Sequence, residues 1–227
     1  MLKKYRNLIT ILIFLFCFPS KAHVDHYKNL NLLEYNLYRN DKLIGEHVYS
    51  FSRLNDEMTV RSEISFKIKK LGVILYKYSA TSDEFYKNDK LVKFNSKTNQ
   101  NKKLKYVNLE LKGDEFVIDG SSNKSNCPSS FIIGTWWNHS ILKAEAQISA
   151  VSGRIIQQKV IFLGKEEILI GNKEYNSLHF NFMSTDPKLS KDKKLNIDIW
   201  YDENSLVWLK SSFNKKGRWE YRLKSIK

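Results

Sequence analysis

Apolar and polar residues alternate with a period of two along most of this chain, and that pattern restricts the fold more than any other feature. Over 58–68, Met58, Val60, Ile64, Phe66 and Ile68 alternate with Thr59, Arg61, Glu63, Ser65 and Lys67; Ser62 is the one polar residue on the apolar face. Over 195–201, Leu195, Ile197, Ile199 and Tyr201 oppose Asn196, Asp198 and Trp200. Further on, Trp219, Tyr221 and Leu223 oppose Arg218, Glu220, Arg222 and Lys224. Side chains of a strand point alternately to its two faces, so each segment reads as a strand with one face in a core and one in water. The same reasoning predicts strands at 32–39, 44–53, 73–86, 91–98, 104–111, 115–119, 155–163, 166–170, 175–184 and 206–213. Between them stand Asn40-Asp41, Asn55-Asp56, Asn88-Asp89, Gly113-Asp114, Gly171-Asn172, Glu203-Asn204 and Lys216-Gly217, pairs that tolerate the positive φ of hairpin loops. This spacing predicts an all-β antiparallel meander of about a dozen strands rather than alternating βαβ units.

One stretch breaks the pattern. Residues 120–150 begin polar and then turn aromatic, which reads as a flexible loop followed by one short helix near 129–142. A dozen or so amphipathic strands with no helical layer must curl over their own apolar face. The expected form is therefore a barrel-like or strongly curved sheet with the short helix in its middle. Such a barrel is either filled by side chains or holds a small apolar ligand, and the pattern leaves both open.

The first residues follow a different rule. Lys3, Lys4 and Arg6 precede an apolar run at 8–18, Pro19 ends the run, and Ser20 and Ala22 are the small residues of a cleavage site. The run is too short to span a bilayer, which takes about 20 residues. Residues 1–22 are thus expected to be a signal peptide and 23–227 a single domain, periplasmic or secreted. A buried N-terminal helix or an uncleaved anchor is the competing reading. The 227-residue chain carries 38 Lys and Arg against 24 Asp and Glu, a net charge of +14. Cleavage after Ala22 removes four basic residues and leaves +10. There are 31 Lys but only seven Arg, spread along nearly every segment. A nucleic-acid binder would cluster Arg for bidentate contacts, so no nucleic-acid partner is expected. A solvated basic surface accounts for the charge, with weak attraction to anionic membranes as the alternative. A membrane-spanning β-barrel is disfavoured by Lys and Asp on both faces of several strands.

Reaction chemistry is sparse. The chain has no Gly-rich phosphate loop, HExxH, GxSxG or CxxC motif. Cys127, in Ser-Asn-Cys-Pro-Ser, reads as an incidental loop cysteine. His23 and His26 flank Asp25 as a conceivable terminal metal clip, but a start that binds nothing is the simpler reading. His47 and His179 sit in strand patterns as structural histidines. His139 follows Trp136-Trp137-Asn138 with no nucleophile assigned beside it. Asp83-Glu84 and Asp202-Glu203 are adjacent residues, so neither pair converges on one point in a strand. No cofactor, metal or catalytic residue is expected, and an enzyme is the less favoured reading. All five Trp lie between residues 136 and 219. Trp200 falls on a polar strand face, and Trp136, Trp137 and Asn138 sit at a loop or helix edge. Together with Tyr201 these are the residues expected to touch a ligand.

Several segments together resemble a known family. They are the opening Tyr35-Asn36-Leu37-Tyr38-Arg39-Asn40-Asp41-Lys42-Leu43-Ile44-Gly45-Glu46-His47, Tyr76-Lys77-Tyr78, and the hairpin Ser82-Asp83-Glu84-Phe85-Tyr86-Lys87-Asn88-Asp89-Lys90-Leu91. To these add the turn Ser96-Lys97-Thr98-Asn99-Gln100-Asn101, Ile199-Trp200-Tyr201-Asp202, Leu206-Val207 and Lys216-Gly217. They resemble the DUF6134 family of exported bacterial proteins, with a looser likeness to the DUF3108 group. Asp89-Lys90 and Asn101-Lys102 stand where the family has glycine turns, and Phe85 where it has Trp. The resemblance implies an exported one-domain β protein and no activity. The function expected is non-enzymatic binding of an apolar or lipid-like ligand by a monomer. The alternative is a structural or protein-interaction module of the cell envelope, with an envelope protein as partner.

Overall fold

The computed structural model describes residues 27–190 and 193–227. The expected signal segment, His23 and His26 lie outside the described residues. The chain forms β1 (Leu32–Arg39), β2 (Lys42–Leu54), β3 (Glu57–Lys70), β4 (Val73–Lys87), β5 (Lys90–Gln100), β6 (Lys103–Lys112), β7 (Glu115–Gly120) and β8 (Asn123–Pro128). After a central segment come β11 (Ile155–Ile170), β12 (Lys173–Ser184), β13 (Asn196–Asp202), β14 (Trp208–Asn214) and β15 (Arg218–Ile226). The central segment holds β9 (Ile132–Ile133), a 3-10 helix (His139–Lys143) and β10 (Ala146–Ile148).

All these strands belong to one sheet, ordered β8-β7-β6-β5-β4-β3-β2-β1-β15-β14-β13-β12-β11-β10-β9. Every neighbouring pair is antiparallel except β9–β10. The first and last strands pair in the middle of the sheet, with Leu37 opposite Tyr221. The two edges, β8 and β9, are joined by only three residues. The sheet is thus the strongly curved, nearly all-β meander expected from the alternation.

Turn chemistry sets the register. Asn40 and Asp41, Asn88 and Asp89, and Asn101 and Lys102 all have positive φ, as two-residue hairpin loops require. Gly45 shows a different need. A Cβ there would lie 2.0 Å from the Ser65 carbonyl oxygen and 2.5 Å from Phe66 Cβ, so no side chain fits. The segments expected at 155–163 and 166–170 are one strand, β11, whose register shifts between Phe162 and Gly164, with Gly164 at φ 136°.

Two expectations for 120–150 are corrected. The polar stretch expected as a loop forms β8, paired to β7 from Gly120–Asn123 to Glu115–Pro128. Its small polar residues hide the period, and Cys127 is a buried strand residue rather than a loop one. The short helix is a single 3-10 turn of five residues, started by Asn138, whose side chain accepts from the Ser140 N–H. Of the preceding residues only Ile132–Ile133 are extended, as β9, and 134–138 follow as bends and turns that pack across the concave face of the sheet. Trp137 and Ile141 join the cluster built on Tyr35, Tyr49, Ile199, Tyr201 and Trp208. Ile133 and Ile148 join a second cluster on Phe94, Val107, Leu109, Phe116 and Cys127. The central segment is therefore a plug that both halves of the sheet hold.

Candidate ligand cavities

A buried carboxylate fastens the plug. Glu84 faces inward from β4 and is 1% exposed. Its Oε1 accepts from Thr135 Oγ1 and Trp137 Nε1, each at 2.9 Å, and its Oε2 accepts from the Tyr86 hydroxyl at 2.6 Å. Burial raises its pKa above the ordinary carboxylate value, and the three hydrogen bonds oppose that shift. Further along the plug, the Tyr27 hydroxyl lies 2.7 Å from His139 Nδ1 and receives the His139 N–H at 3.1 Å. The Tyr201 hydroxyl donates to the Trp136 carbonyl at 2.9 Å. Trp136, Trp137, Asn138 and Tyr201 are therefore brought together, as parts of one partition with a hollow on either side.

The first hollow, of about 160 Å³, lies between the sheet and Gly134, Thr135 and Trp136. A rung of serines makes the space: Ser62 pairs with Ser82, which pairs with Ser96, so three neighbouring strands present a small polar side chain at one level. On the next rung, Ile64, Ala80 and Thr98 follow. His47 Nε2 is 2.7 Å from Ser62 Oγ, and Ser96 Oγ donates to the Ala150 carbonyl at 2.6 Å. His47 Nδ1 and Thr98 Oγ1 are buried without a hydrogen-bond partner among the described residues. Burial pushes the His47 imidazole down to about 3, so it is neutral here. No charged side chain lines this space. It is smaller than the roughly 300 Å³ at which ordinary ligand pockets begin, and its serine and threonine hydroxyls give ordered water partners beside the Ile64, Ala80 and Val151 side chains.

The second hollow is a cleft of about 490 Å³ at the end of the sheet where β4 turns into β5 and β6 into β7. Leu91, Leu111, Phe116, Phe131 and Ile132 give it an apolar floor. Lys90, Lys143, Asp89 and Asp114 stand at its rim with Asn138 and Ser140. Its volume falls in the range of roughly 300–1,000 Å³ typical of ligand sites.

Trp200 does not join this arrangement. It lies on the outer face of β13, stacked on His179 with ring centroids 4.2 Å apart, and Lys210 Nζ is 4.8 Å from its ring. Its indole N–H donates to Glu166. His179 Nδ1 also meets Glu166, at 3.0 Å. Trp200 thus belongs to a polar network over β11–β14, while its neighbour Tyr201 points into the core.

Among the described residues no group of three or more His, Cys, Asp or Glu could hold a metal ion. Cys127 is 4% exposed, and its thiol is pushed up to about 11 by burial and by Glu115, so it is a poor nucleophile. Sequence reasoning named His47 as a structural strand residue and Glu84 in an adjacent pair, and it missed Thr135, the serine rung and the fastening of the plug by Glu84. Their signal was polar residues at inward positions of consecutive strands, of which Ser62 alone stood out.

A strongly curved antiparallel sheet with a plugged interior defines the class: a barrel-like β protein. The chain belongs to the family described as "Domain of unknown function (DUF6134)", whose model matches residues 35–224. Among solved structures it is similar to a β-barrel-like protein of the DUF1849 family from Brucella abortus, with a TM-score of 0.62 at 13% identity. That match covers 87% of this chain and 98% of the other, and it supports the fold alone. A DUF1329 family protein from Desulfovibrio piger ATCC 29098 matches at a TM-score of 0.20 and 9% identity over 90% of this chain and 88% of that one, a likeness that carries no argument. No curated protein matches the chain.

Proposed function

We propose that this is an exported, non-enzymatic protein that binds an apolar or lipid-like ligand in the cleft at the β4–β5 end. The observation that carries the reading is the pairing of an apolar floor, Leu91, Leu111, Phe116, Phe131 and Ile132, with a polar rim in a hollow of about 490 Å³. Burying apolar ligand surface on such a floor gains about 25 cal/mol per Å². Lys90, Lys143 and Asn138 offer a polar head group its hydrogen bonds at the rim. The inner cavity, at about 160 Å³, is too small to share that task. The export half of the proposal rests on the N-terminal pattern alone, Lys3, Lys4 and Arg6 ahead of the apolar run at 8–18.

The test is a titration with a fluorescent fatty-acid analogue, beside native mass spectrometry of protein purified without detergent. Saturable binding that Phe131→Glu and Leu111→Glu each weaken at least tenfold is the expected result. Absence of binding, or binding by both variants as tight as by the unaltered protein, refutes the reading.

A further inference from the structure

We propose that the end of the sheet opposite this cleft docks onto an anionic phospholipid bilayer, with the tip of the β3–β4 hairpin entering the lipid interface. In the meander the β1–β2, β3–β4, β5–β6 and β14–β15 turns and the β12–β13 connection all fall at this one end. Lysine runs far apart in sequence therefore meet there. Lys67, Lys69, Lys70 and Lys77 stand on the hairpin arm, and Lys102 and Lys103 on the next turn. Lys215 and Lys216, and Lys193 and Lys194, extend the basic surface around the rim. Among the described residues, no carboxylate forms an ion pair with any of these lysines. Asp41, the acidic residue of the β1–β2 turn, is taken up by Arg218 and Arg222. At the opposite end the lysines Lys87, Lys90, Lys112 and Lys173 are interspersed with Asp56, Glu57, Asp89, Asp114, Glu115, Asp202 and Glu203. Charge is thus polarised along the strands, which orients the molecule before contact with an anionic surface.

The hairpin supplies the second, independent observation. β2 pairs with β3 only as far as Gly45–Phe66, and β5 with β4 only as far as Tyr78–Gln100. Beyond those rungs β3 and β4 pair with each other out to Lys70–Val73, an arm about 13 Å long. Its apex is apolar and in water: Leu71 is 95% exposed, Val73 62%, Leu75 54% and Ile74 50%. Leu104, on the neighbouring turn, is 79% exposed. Leu71 also adopts φ 48°, in a turn position that Asn or Gly fills without strain.

Two features of the arm cost stability in the free protein. A bulky apolar residue sits exposed at a strained turn, and Lys67 lies directly opposite Lys77. Contact with an anionic bilayer relieves both, since the leucine side chains leave water and lipid phosphates neutralise the facing lysines. A second copy of the chain docking by this end would press the same lysines together, so charge favours lipid.

The experiment is co-sedimentation with vesicles of phosphatidylcholine, with and without one-third phosphatidylglycerol, at about 0.05 and 0.5 M NaCl. The expected result is binding to the anionic vesicles alone, lost at the higher salt. Lys69→Glu/Lys70→Glu should lower partitioning at least about tenfold, as the loss of two lysine contacts predicts. Leu71→Ser/Ile74→Ser should lower it about fivefold or more without a salt-dependent component. Lys112→Glu/Lys173→Glu, the same charge change at the opposite end, should stay within about twofold of the unaltered protein. Because the substituted side chains are exposed, circular dichroism melting should show each variant folded. The proposal is overturned by absence of anionic-vesicle binding at low salt, or by equal losses from the two ends. It is also overturned by a concentration-dependent dimer that Leu71→Ser abolishes.

Discussion

Acidifying the protein from pH 7 to pH 5 should destabilise it through one residue, His47. The imidazole is 9% exposed, packed on the Tyr49 ring at 4.3 Å, with Nε2 on Ser62. Burial holds its pKa at about 3, against 6.5 in the unfolded chain. The folded value is the lower one, so the unfolded chain takes the proton first as pH falls. The contribution of neutral His47 is fully present above pH 6.5 and is lost progressively between 6.5 and about 3. At pH 5 the loss is about 2 kcal/mol, and the whole window is worth about 5 kcal/mol. His47→Gln keeps a hydrogen-bonding group for Ser62 but has no proton to bind. Urea denaturation followed by tryptophan fluorescence at pH 7 and pH 5 gives the two stabilities for each protein. The unaltered protein should lose about 2 kcal/mol more than the variant between those values. Equal losses, or an NMR titration of His47 in the folded protein near pH 6.5, would falsify the reasoning.

Glu84 works in the opposite sense: its pKa is raised in the fold, so its protonated form favours folding and that contribution fades as pH climbs above the ordinary carboxylate range. Glu84→Gln should therefore show a flatter stability profile across that window, measured by the same urea melts, and a parallel profile would count against it. Glu84→Leu leaves the Trp137 and Thr135 donors unpaired and should cost about 2–4 kcal/mol by urea denaturation. Gly45→Ala drives a methyl into the Ser65 carbonyl and should cost about 1–3 kcal/mol, read as a drop in Tm of several degrees; an unchanged Tm would show that β2 and β3 separate freely. Cys127 should stay unmodified by a thiol reagent in the folded protein at pH 8 and react once urea unfolds it, whereas fast labelling of the native state would contradict its burial.

The alternation of β3, β13 and β15 is legible because apolar side chains on one face of each meet the core and the other face is mostly polar, even where Trp200 and Glu220 on it are covered, and the Asn-Asp turns declare their own geometry. β8 is not legible, because an edge strand of Ser, Asn and Lys has too few apolar residues to show a period. The plug escapes for a related reason. Its irregular course is imposed by contacts with both half-sheets, and the local sequence around Trp136 and Trp137 does not encode that course. The partition role of Trp136, Trp137, Asn138 and Tyr201 follows from Glu84 and the Trp136 carbonyl, partners 53 and 65 residues away in sequence. The surroundings of Trp200 are not legible either, because His179, Glu166 and Lys210 reach it from three other strands. The basic end is written in lysine runs that look scattered until the meander brings alternate turns together.

The pairing of β1 with β15 has a consequence for the order in which the molecule forms. Ser225 and Glu34, hydrogen-bonded across that ladder, are 191 residues apart in sequence. While the chain is being synthesised, hairpins such as β3–β4 and β11–β12 can zip early, because their turns are local. The rung that joins the two halves must wait for the last strand, with the full entropy of closing a very long loop still to be overcome. Until then β1 presents an unpaired edge and the plug has only one wall to rest on. A chain built this way stays unfinished, with the edges of two half-sheets open, until β15 arrives to close it.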